Sequence, residues 1–212
     1  MHKALLVLED GRVFSGKSYG STGETLGEIV FATGMTGYQE TLTDPSYAGQ
    51  IVVQTAPHIG NTGMNDADEE SRQIWVSGYV VKEVSIRPSN FRSQRTLEQD
   101  LVDAGVIGIA GLDTRALTRL IRESGAMRAG IFSGADAAAS TDELLARVTG
   151  AVKMKGLSLS DTVTTAEPYT VAHEGEFVGR VAIIDLGIKR STIEHMCARG
   201  LEVKVFPAKT DA

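Results

Sequence analysis

Residues 181–206 read VAIIDLGIKRSTIEHMCARGLEVKVF, and this stretch decides the fold class. Its first five residues are short and mostly apolar, as expected of a buried strand, and residues 186–190 form a tight turn. A helix follows over residues 191–199 and ends before Gly200, and residues 201–206 form a second strand. Strands joined by a helical crossover are parallel, so the sequence predicts a βαβ unit of an α/β protein.

This unit is too small to be a complete domain, because two strands and one helix cannot cover both faces of a parallel sheet. The sequence stops at Ala212, so we expect the second domain to be truncated. The predicted organisation is an N-terminal domain over residues 1–152, a surface connector over residues 153–178, and an incomplete domain over residues 179–212.

The N-terminal region begins with β patterns and then changes to helices. The Asp10-Gly11 pair predicts a hairpin between a strand at residues 4–8 and one that starts at Val13. Further predicted strands cover residues 28–33, 50–55, 74–83 and 106–110. The predicted helices cover residues 95–104, with Leu97, Leu101 and Val102 on one face, residues 114–123 after an Asp113 N-cap, and residues 140–148, where Ser140 and Glu143 form a capping box.

Composition excludes several classes of partner. The 212 residues are 42% hydrophobic and 23% charged with a net charge of −6, so no basic surface for nucleic acid is expected. The single cysteine, Cys197, fits a reducing compartment. Neither a signal peptide nor an apolar run of ~20 residues occurs. We therefore predict a soluble, cytoplasmic protein with no membrane partner.

Two motifs resemble ligand-binding loops but do not meet the requirements of those loops. Residues 11–18, GRVFSGKS, match the phosphate-loop pattern with Lys17 as its lysine, but the glycine-rich segment that follows is poor helix material, which favours a hairpin. Residues 65–70, NDADEE, suggest a calcium loop, but Ser71 and Ser77 stand where glycine and glutamate are required. We interpret this acidic run as the start of a helix, with carboxylates near its positive end.

The sequence gives little support for a catalytic nucleophile. Cys197 lies inside a predicted helix, not on a sharp strand-to-helix turn, so a packed core thiol is favoured over a nucleophile. Asp44, Ser46 and His58 suggest a Ser-His-Asp triad, but DPSY is a turn sequence and we reject the triad.

A basic stripe accompanies the helix at residues 114–123. Arg115, Arg119 and Arg122 recur at helical spacing opposite Leu117, Leu120 and Ile121. Such a stripe is either the solvated face of an amphipathic helix or a docking surface for an acidic partner.

Three longer motifs carry a family resemblance: residues 32–71, beginning ATGMTGYQETLTDPSY, residues 109–127, IAGLDTRALTRLIRESGAM, and residues 185–200, DLGIKRSTIEHMCARG. Through these three motifs the chain resembles the N-terminal portion of the small subunit of glutamine-hydrolysing carbamoyl-phosphate synthetase. The resemblance implies a β/β/α swivelling-type domain followed by the first βαβ of a flavodoxin-like class I glutamine amidotransferase domain.

The resemblance also implies a function. The small subunit hydrolyses glutamine and passes ammonia to a large subunit, which uses ATP and a divalent metal to make carbamoyl phosphate for arginine and pyrimidine synthesis. Ser46 matches the serine that contacts glutamine. The catalytic Cys, His and Glu have no counterparts here, so no catalytic, metal or cofactor residue is assigned, and the chain alone is expected to be inactive. The alternative is a stand-alone, non-catalytic module that docks on the large subunit.

Overall fold

The computed structural model describes residues 2–211 and contains twelve strands and six α-helices within them. The strands are Lys3–Leu8 (β1), Val13–Gly20 (β2), Glu24–Ala32 (β3), Gln50–Gln54 (β4), His58–Ile59 (β5), Gly78–Val81 (β6), Glu83–Val84 (β7), Ile107–Ala110 (β8), Met127–Ser133 (β9), Tyr169–Val171 (β10), Gly179–Ile184 (β11) and Leu201–Phe206 (β12). The helices are Tyr38–Thr43 (α1), Leu97–Asp103 (α2), Thr114–Ser124 (α3), Thr141–Gly150 (α4), Ser160–Val163 (α5) and Arg190–Cys197 (α6).

Seven strands close into a barrel in the order β1-β2-β8-β6-β4-β3-β9. Strands β3, β4, β6 and β8 are adjacent and mutually parallel, whereas β1, β2 and β9 pair antiparallel to their neighbours. Four parallel neighbours have their carboxyl ends at the same rim of the barrel. The loops that leave β3, β4, β6 and β8 therefore meet at one rim.

The barrel interior is one apolar cluster. Leu6 of β1, Val53 of β4 and Ile131 of β9 belong to this cluster, to which all seven strands contribute, and each of these three side chains is fully buried. Leu117 and Ile121 of α3 join it, so this helix covers an open end of the barrel. The outer face of the parallel strands packs against α1 and α2, and α4 packs against β1 and β9.

The predicted strand–helix–strand unit is confirmed. β11 and β12 pair in parallel from Gly179↔Leu201 to Ile184↔Phe206, and α6 packs on them through Ile193 and Cys197. The segment predicted as a surface connector, residues 153–178, has more structure than expected. It contains α5, and its β10 pairs antiparallel with β12 to complete a three-stranded sheet. A strand of three residues is too short for an alternating apolar pattern to be recognised in the sequence. Its stability comes from pairing with β12, which the local sequence does not reveal.

Two further predictions are wrong in detail. The single strand predicted over residues 74–83 is replaced by β6 at Gly78–Val81 and the first residue of β7, Glu83, with Trp75 and Val76 buried ahead of β6. Val102 does not share the buried face of Leu97 and Leu101 and is 46% exposed. At the 3.6-residue helical period it lies one residue, or about 100°, past Leu101.

The acidic run at residues 65–70 does not begin a helix. The Asn65 Oδ1 atom accepts hydrogen bonds from the N–H groups of Ala67 and Asp68, which closes a side-chain turn in place of helical bonding. Asp66 and Asp68 instead pair with Arg95 and Arg92, at 2.6 and 2.5 Å. Distant arginines therefore hold these carboxylates, and no helix dipole is needed to explain them.

Local signals in the sequence are confirmed where their partners are near in the chain. The Asp10-Gly11 turn joins β1 to β2, with Gly11 at φ 87°. The Asp113 side chain accepts from the Ala116 N–H at the start of α3, and Ser140 and Glu143 form a reciprocal capping box at the start of α4.

Candidate functional site

Ser46 lies on the 3₁₀ turn Pro45–Tyr47, between α1 and β4. Asp44 precedes the turn in an extended conformation, and its Oδ1 atom accepts the Ser46 N–H at 2.9 Å. Pro45 is the first residue of the turn, and its ring restricts φ to a helical value. The Asp44 hydrogen bond and the proline ring therefore both constrain the backbone next to Ser46. Asp44 and Pro45 are buried while Ser46 is exposed. The turn therefore presents the serine to solvent on a constrained backbone.

The same turn touches the loop between β11 and α6. The Lys189 Nζ atom lies 2.6 Å from Asp44 Oδ2, and the buried carboxylate raises the pKa of Lys189. Gly187, at φ 104°, packs so closely that an added Cβ would lie 3.1 Å from the Cβ of Pro45. A side chain at this position would be strained by its φ and crowded by Pro45. Ser46 therefore lies where the barrel meets the three-stranded sheet.

Asp185 organises that loop from within. It is buried at the carboxyl end of β11, and its Oδ1 atom accepts the N–H groups of Gly187 and Ile188 at 2.8 and 2.9 Å. Its Oδ2 atom accepts the Thr165 N–H at 2.6 Å. Three backbone donors satisfy this buried carboxylate, so the loop has a defined shape.

The acidic run makes a second contact between barrel and sheet, which the sequence reasoning missed. The Arg190 guanidinium donates to the carbonyls of Asp66 and Ala67, and its backbone N–H donates to Glu70 O at 2.7 Å. The Ser191 hydroxyl donates to Glu70 Oε2 at 2.7 Å. No local pattern could have shown this, because at least 120 residues separate the partners.

A cavity of about 500 Å³ lies behind these contacts, between the barrel and the sheet. Pro45, Glu70, Asp185, Arg190 and Ile193 are among its lining residues, so both parts of the chain build it. Ser46 is not in its lining, although its neighbour Pro45 is.

The rejected motifs behave as their context indicated. Lys17 lies inside β2, opposite Lys3 of β1, so residues 11–18 are a turn and a strand and not a phosphate loop. The His58 imidazole faces Glu83, with Nδ1 to Oε2 at 3.9 Å, while Asp44 is paired with Lys189. No triad is assembled from these groups within residues 2–211.

Cys197 is a packed thiol, as the helical context predicted. It is 2% exposed on α6, and burial together with the nearby Glu174 carboxylate raises the pKa of this thiol. A thiol nucleophile needs the opposite shift, toward thiolate at neutral pH. Within residues 2–211 no group of three His, Cys, Asp or Glu side chains could hold a metal ion. In the same range, none of the helices has the length and apolar character required to cross a bilayer.

Comparison with known proteins places this architecture in a family. The family model described as "Carbamoyl-phosphate synthase small chain, CPSase domain" matches residues 6–131. The chain belongs to this family. The matched range covers the barrel strands up to Ile131 of β9 and the turn that carries Ser46.

Relatives in the carbamoyl phosphate synthase small chain family extend the match across the sheet. The small chain from Streptomyces coelicolor is 59% identical over 97% of this chain, and that from Streptomyces avermitilis is 58% identical over 99%. The small chain from Mycobacterium tuberculosis is 54% identical over 99%. The alignments cover 54%, 55% and 57% of these three relatives, so the chain spans about half of their length.

Proposed function

We propose that the chain is part of the glutamine-hydrolysing small subunit of a cytoplasmic carbamoyl phosphate synthase. This subunit supplies ammonia from glutamine to a large subunit, which makes carbamoyl phosphate with ATP and a divalent metal for arginine and pyrimidine biosynthesis. The observation that carries the proposal is the 59% identity to a carbamoyl phosphate synthase small chain over 97% of this chain.

In this proposal Ser46 contacts the substrate glutamine. A hydroxyl can donate to the α-carboxylate and accept from the α-ammonium group, so one serine can read either end of the amino acid. The support is positional. Ser46 is exposed on a turn whose neighbours Asp44 and Pro45 are held against the loop between β11 and α6.

The three-stranded sheet is, in this proposal, the start of a flavodoxin-like class I glutamine amidotransferase domain. Its β11–α6–β12 unit is parallel, as that fold requires, and the Asp185 loop lies at the carboxyl end of β11. Ligands of open α/β sheets bind outside the carboxyl ends of their strands. This rule supports the proposal, because the turn that carries Ser46 contacts the loop at the carboxyl end of β11.

A chimaera tests the role of Ser46. Residues 6–206 would replace the matching segment of the Streptomyces coelicolor small chain, which would then be assembled with its large subunit. Ser46→Ala should raise KM for glutamine roughly tenfold, the cost of one hydrogen bond to a charged group, with ammonia-driven synthesis unchanged. Ser15→Ala, at an exposed serine of β2, is the control. An unchanged KM for glutamine in Ser46→Ala would refute this role.

The chimaera, and not the chain by itself, separates the leading proposal from the alternative, because both expect the isolated chain to be inactive. We expect residues 1–212 to bind the large subunit and to show no glutamine hydrolysis. If the chimaera restores glutamine-dependent synthesis, the segment works as part of a glutaminase subunit. If the chimaera folds and binds but never supports that synthesis, the non-catalytic docking module is the better description.

A further inference from the structure

A groove of about 630 Å³ lies at the rim of the barrel where β3, β4, β6 and β8 have their carboxyl ends, and it is separate from the turn that carries Ser46. Thr33 follows β3, Thr55 follows β4 and Lys82 follows β6, and all three line the groove. Asp113 and α3 follow β8 and form the facing wall. The groove therefore exists because four parallel neighbours end at one rim, the position where α/β folds place their binding loops.

Four cations line this groove: Lys82, Arg115, Arg119 and Arg122. All four are exposed. Within residues 2–211, none of the four has a carboxylate within 4 Å, whereas seven other arginines each have one. The chain as a whole has a net charge of −6, so its acidic groups are numerous enough to have paired with them. A positive strip whose four cations form no ion pair within the described residues is therefore left open on an acidic protein.

The arginines of α3 are spaced along a line. Arg115, Arg119 and Arg122 differ by four and three residues, so they lie on one face of the helix and span about 10 Å at a rise of 1.5 Å per residue. Leu117 and Ile121 on the opposite face are buried in the barrel end, which fixes the orientation of the strip. The strip is rigid, because its helix is anchored by the core.

We propose that this groove docks an acidic segment of the large subunit, with at least three carboxylates spread over about 10 Å. The inference rests on the proposed function, because it takes the large subunit as the partner. Guanidinium groups form paired hydrogen bonds with carboxylates and are only weakly hydrated, which suits them to protein interfaces. The threonine hydroxyls of the groove add neutral donors between the charges.

The geometry favours a protein segment over a small phosphorylated ligand. The Asp113 carboxylate lines the groove and caps α3 by accepting from the Ala116 N–H at 3.0 Å, so it occupies the start of the helix and leaves any anion to the cations farther along it. The charges are also distributed along the helix instead of converging on one point. An acidic helix or extended chain can match a 10 Å row of cations, with its own carboxylates at i, i+4 and i+7 or at alternate residues.

Charge reversal tests the docking site. The affinity of residues 1–212 for the large subunit would be measured by calorimetry for wild type, Arg119→Glu and the triple variant Arg115→Glu/Arg119→Glu/Arg122→Glu. We expect Kd to rise roughly tenfold for the single variant and at least about a hundredfold for the triple variant. The wild-type Kd should also rise steeply with salt, and the triple variant should lose that dependence.

Arg87→Glu is the matched control, since Arg87 is exposed and its substitution changes the charge equally. Thermal unfolding of each variant confirms that the barrel is intact, as expected for exposed side chains. The inference is overturned if wild type binds and the Arg119→Glu variant binds equally well, and the proposed function then stands. If folded wild type does not bind the large subunit at all, the proposed function fails with it.

A third measurement addresses the small-anion alternative. Inorganic pyrophosphate would be added to wild type and to Arg119→Glu while the melting temperature is followed. We expect no stabilisation beyond the general effect of ionic strength in either protein. A saturable stabilisation that Arg119→Glu abolishes, together with unchanged binding to the large subunit, would assign the groove to a phosphorylated ligand and overturn the docking proposal.

Discussion

The Nζ atom of Lys189 lies 2.6 Å from Oδ2 of Asp44, and this ion pair joins the loop after β11 to the turn that presents Ser46. The two partners differ in exposure. The Asp44 side chain is 7% exposed and the Lys189 side chain is 42% exposed. A buried carboxylate that loses its cation keeps its desolvation cost, so removing the lysine should cost more than the pair itself contributes.

We therefore predict that Lys189→Met destabilises the chain by about 1–2 kcal/mol, less than for a fully buried pair because water reaches the lysine. At neutral pH, below the ordinary lysine pKa of 10.5, the contribution of the pair is present, and it is lost as pH rises through the raised pKa of Lys189. Urea denaturation at pH 7 measures the loss. Lys209→Met is the control, because Lys209 and Asp161 lie 2.7 Å apart but are 80% and 48% exposed. Equal losses in both variants would show that burial of Asp44 is unimportant.

Glu9 provides a prediction about acid stability. It accepts from the backbone and guanidinium groups of Arg128 at 3.0 and 2.6 Å, and these hydrogen bonds lower its pKa from 4.5 to about 2. A lowered pKa stabilises the fold above pH 4.5, and this contribution is lost as pH falls through about 2. Glu9→Gln should cost about 1 kcal/mol at pH 7, after allowance for a side chain that is 29% exposed, and the cost should shrink progressively as pH falls from 4.5 through about 2. Urea denaturation over a pH series tests this, and a difference that stays constant with pH would contradict the charge explanation.

The barrel wall has a position where only glycine fits. A Cβ added to Gly108 of β8 would lie 2.7 Å from the carbonyl oxygen of Tyr19 in the neighbouring strand, so Gly108→Ala must shift backbone. We expect a loss of about 2–3 kcal/mol in the free energy of unfolding. Gly150→Ala, at the end of α4 where an added Cβ meets nothing within 4 Å, should instead stabilise by about 0.5 kcal/mol. The two variants should therefore shift the urea midpoint in opposite directions; a shift of the same sign in both would argue against close packing in the barrel wall.

Cys197 should be a protected thiol. It is buried on α6 against β12, and its raised pKa lowers the thiolate fraction. Reaction with a chromogenic disulfide in native buffer should be at least about a hundredfold slower than in urea, because the sheet must open first. One thiol per chain should react in urea, as the sequence contains one cysteine. Rapid labelling of the native chain would contradict the buried position.

The sequence alone predicted the features whose partners are close along the chain. The Asp10-Gly11 hairpin, the Asp113 N-cap and the Ser140–Glu143 capping box each involve groups within four residues of one another. The βαβ unit was predicted for the same reason, since apolar runs and a short helix define it locally. The functional role of Ser46 came only from family resemblance, and it remains a prediction.

What only the tertiary structure decided depends on partners far apart in sequence. The barrel closes because β9 pairs with both β1 and β3, and the short β10 exists because β12 pairs with it. The acidic run at residues 65–70 carries good helix-start residues, yet Arg92, Arg95 and Arg190 hold it as a turn. Sequence patterns encode local preferences of a fraction of a kcal/mol per residue, and long-range hydrogen bonds and charge pairs together outweigh them. The sequence therefore determined the local turns, the helix caps, the βαβ unit and the family, and the fold determined β10 and which distant residues meet beside Ser46 and at the basic groove.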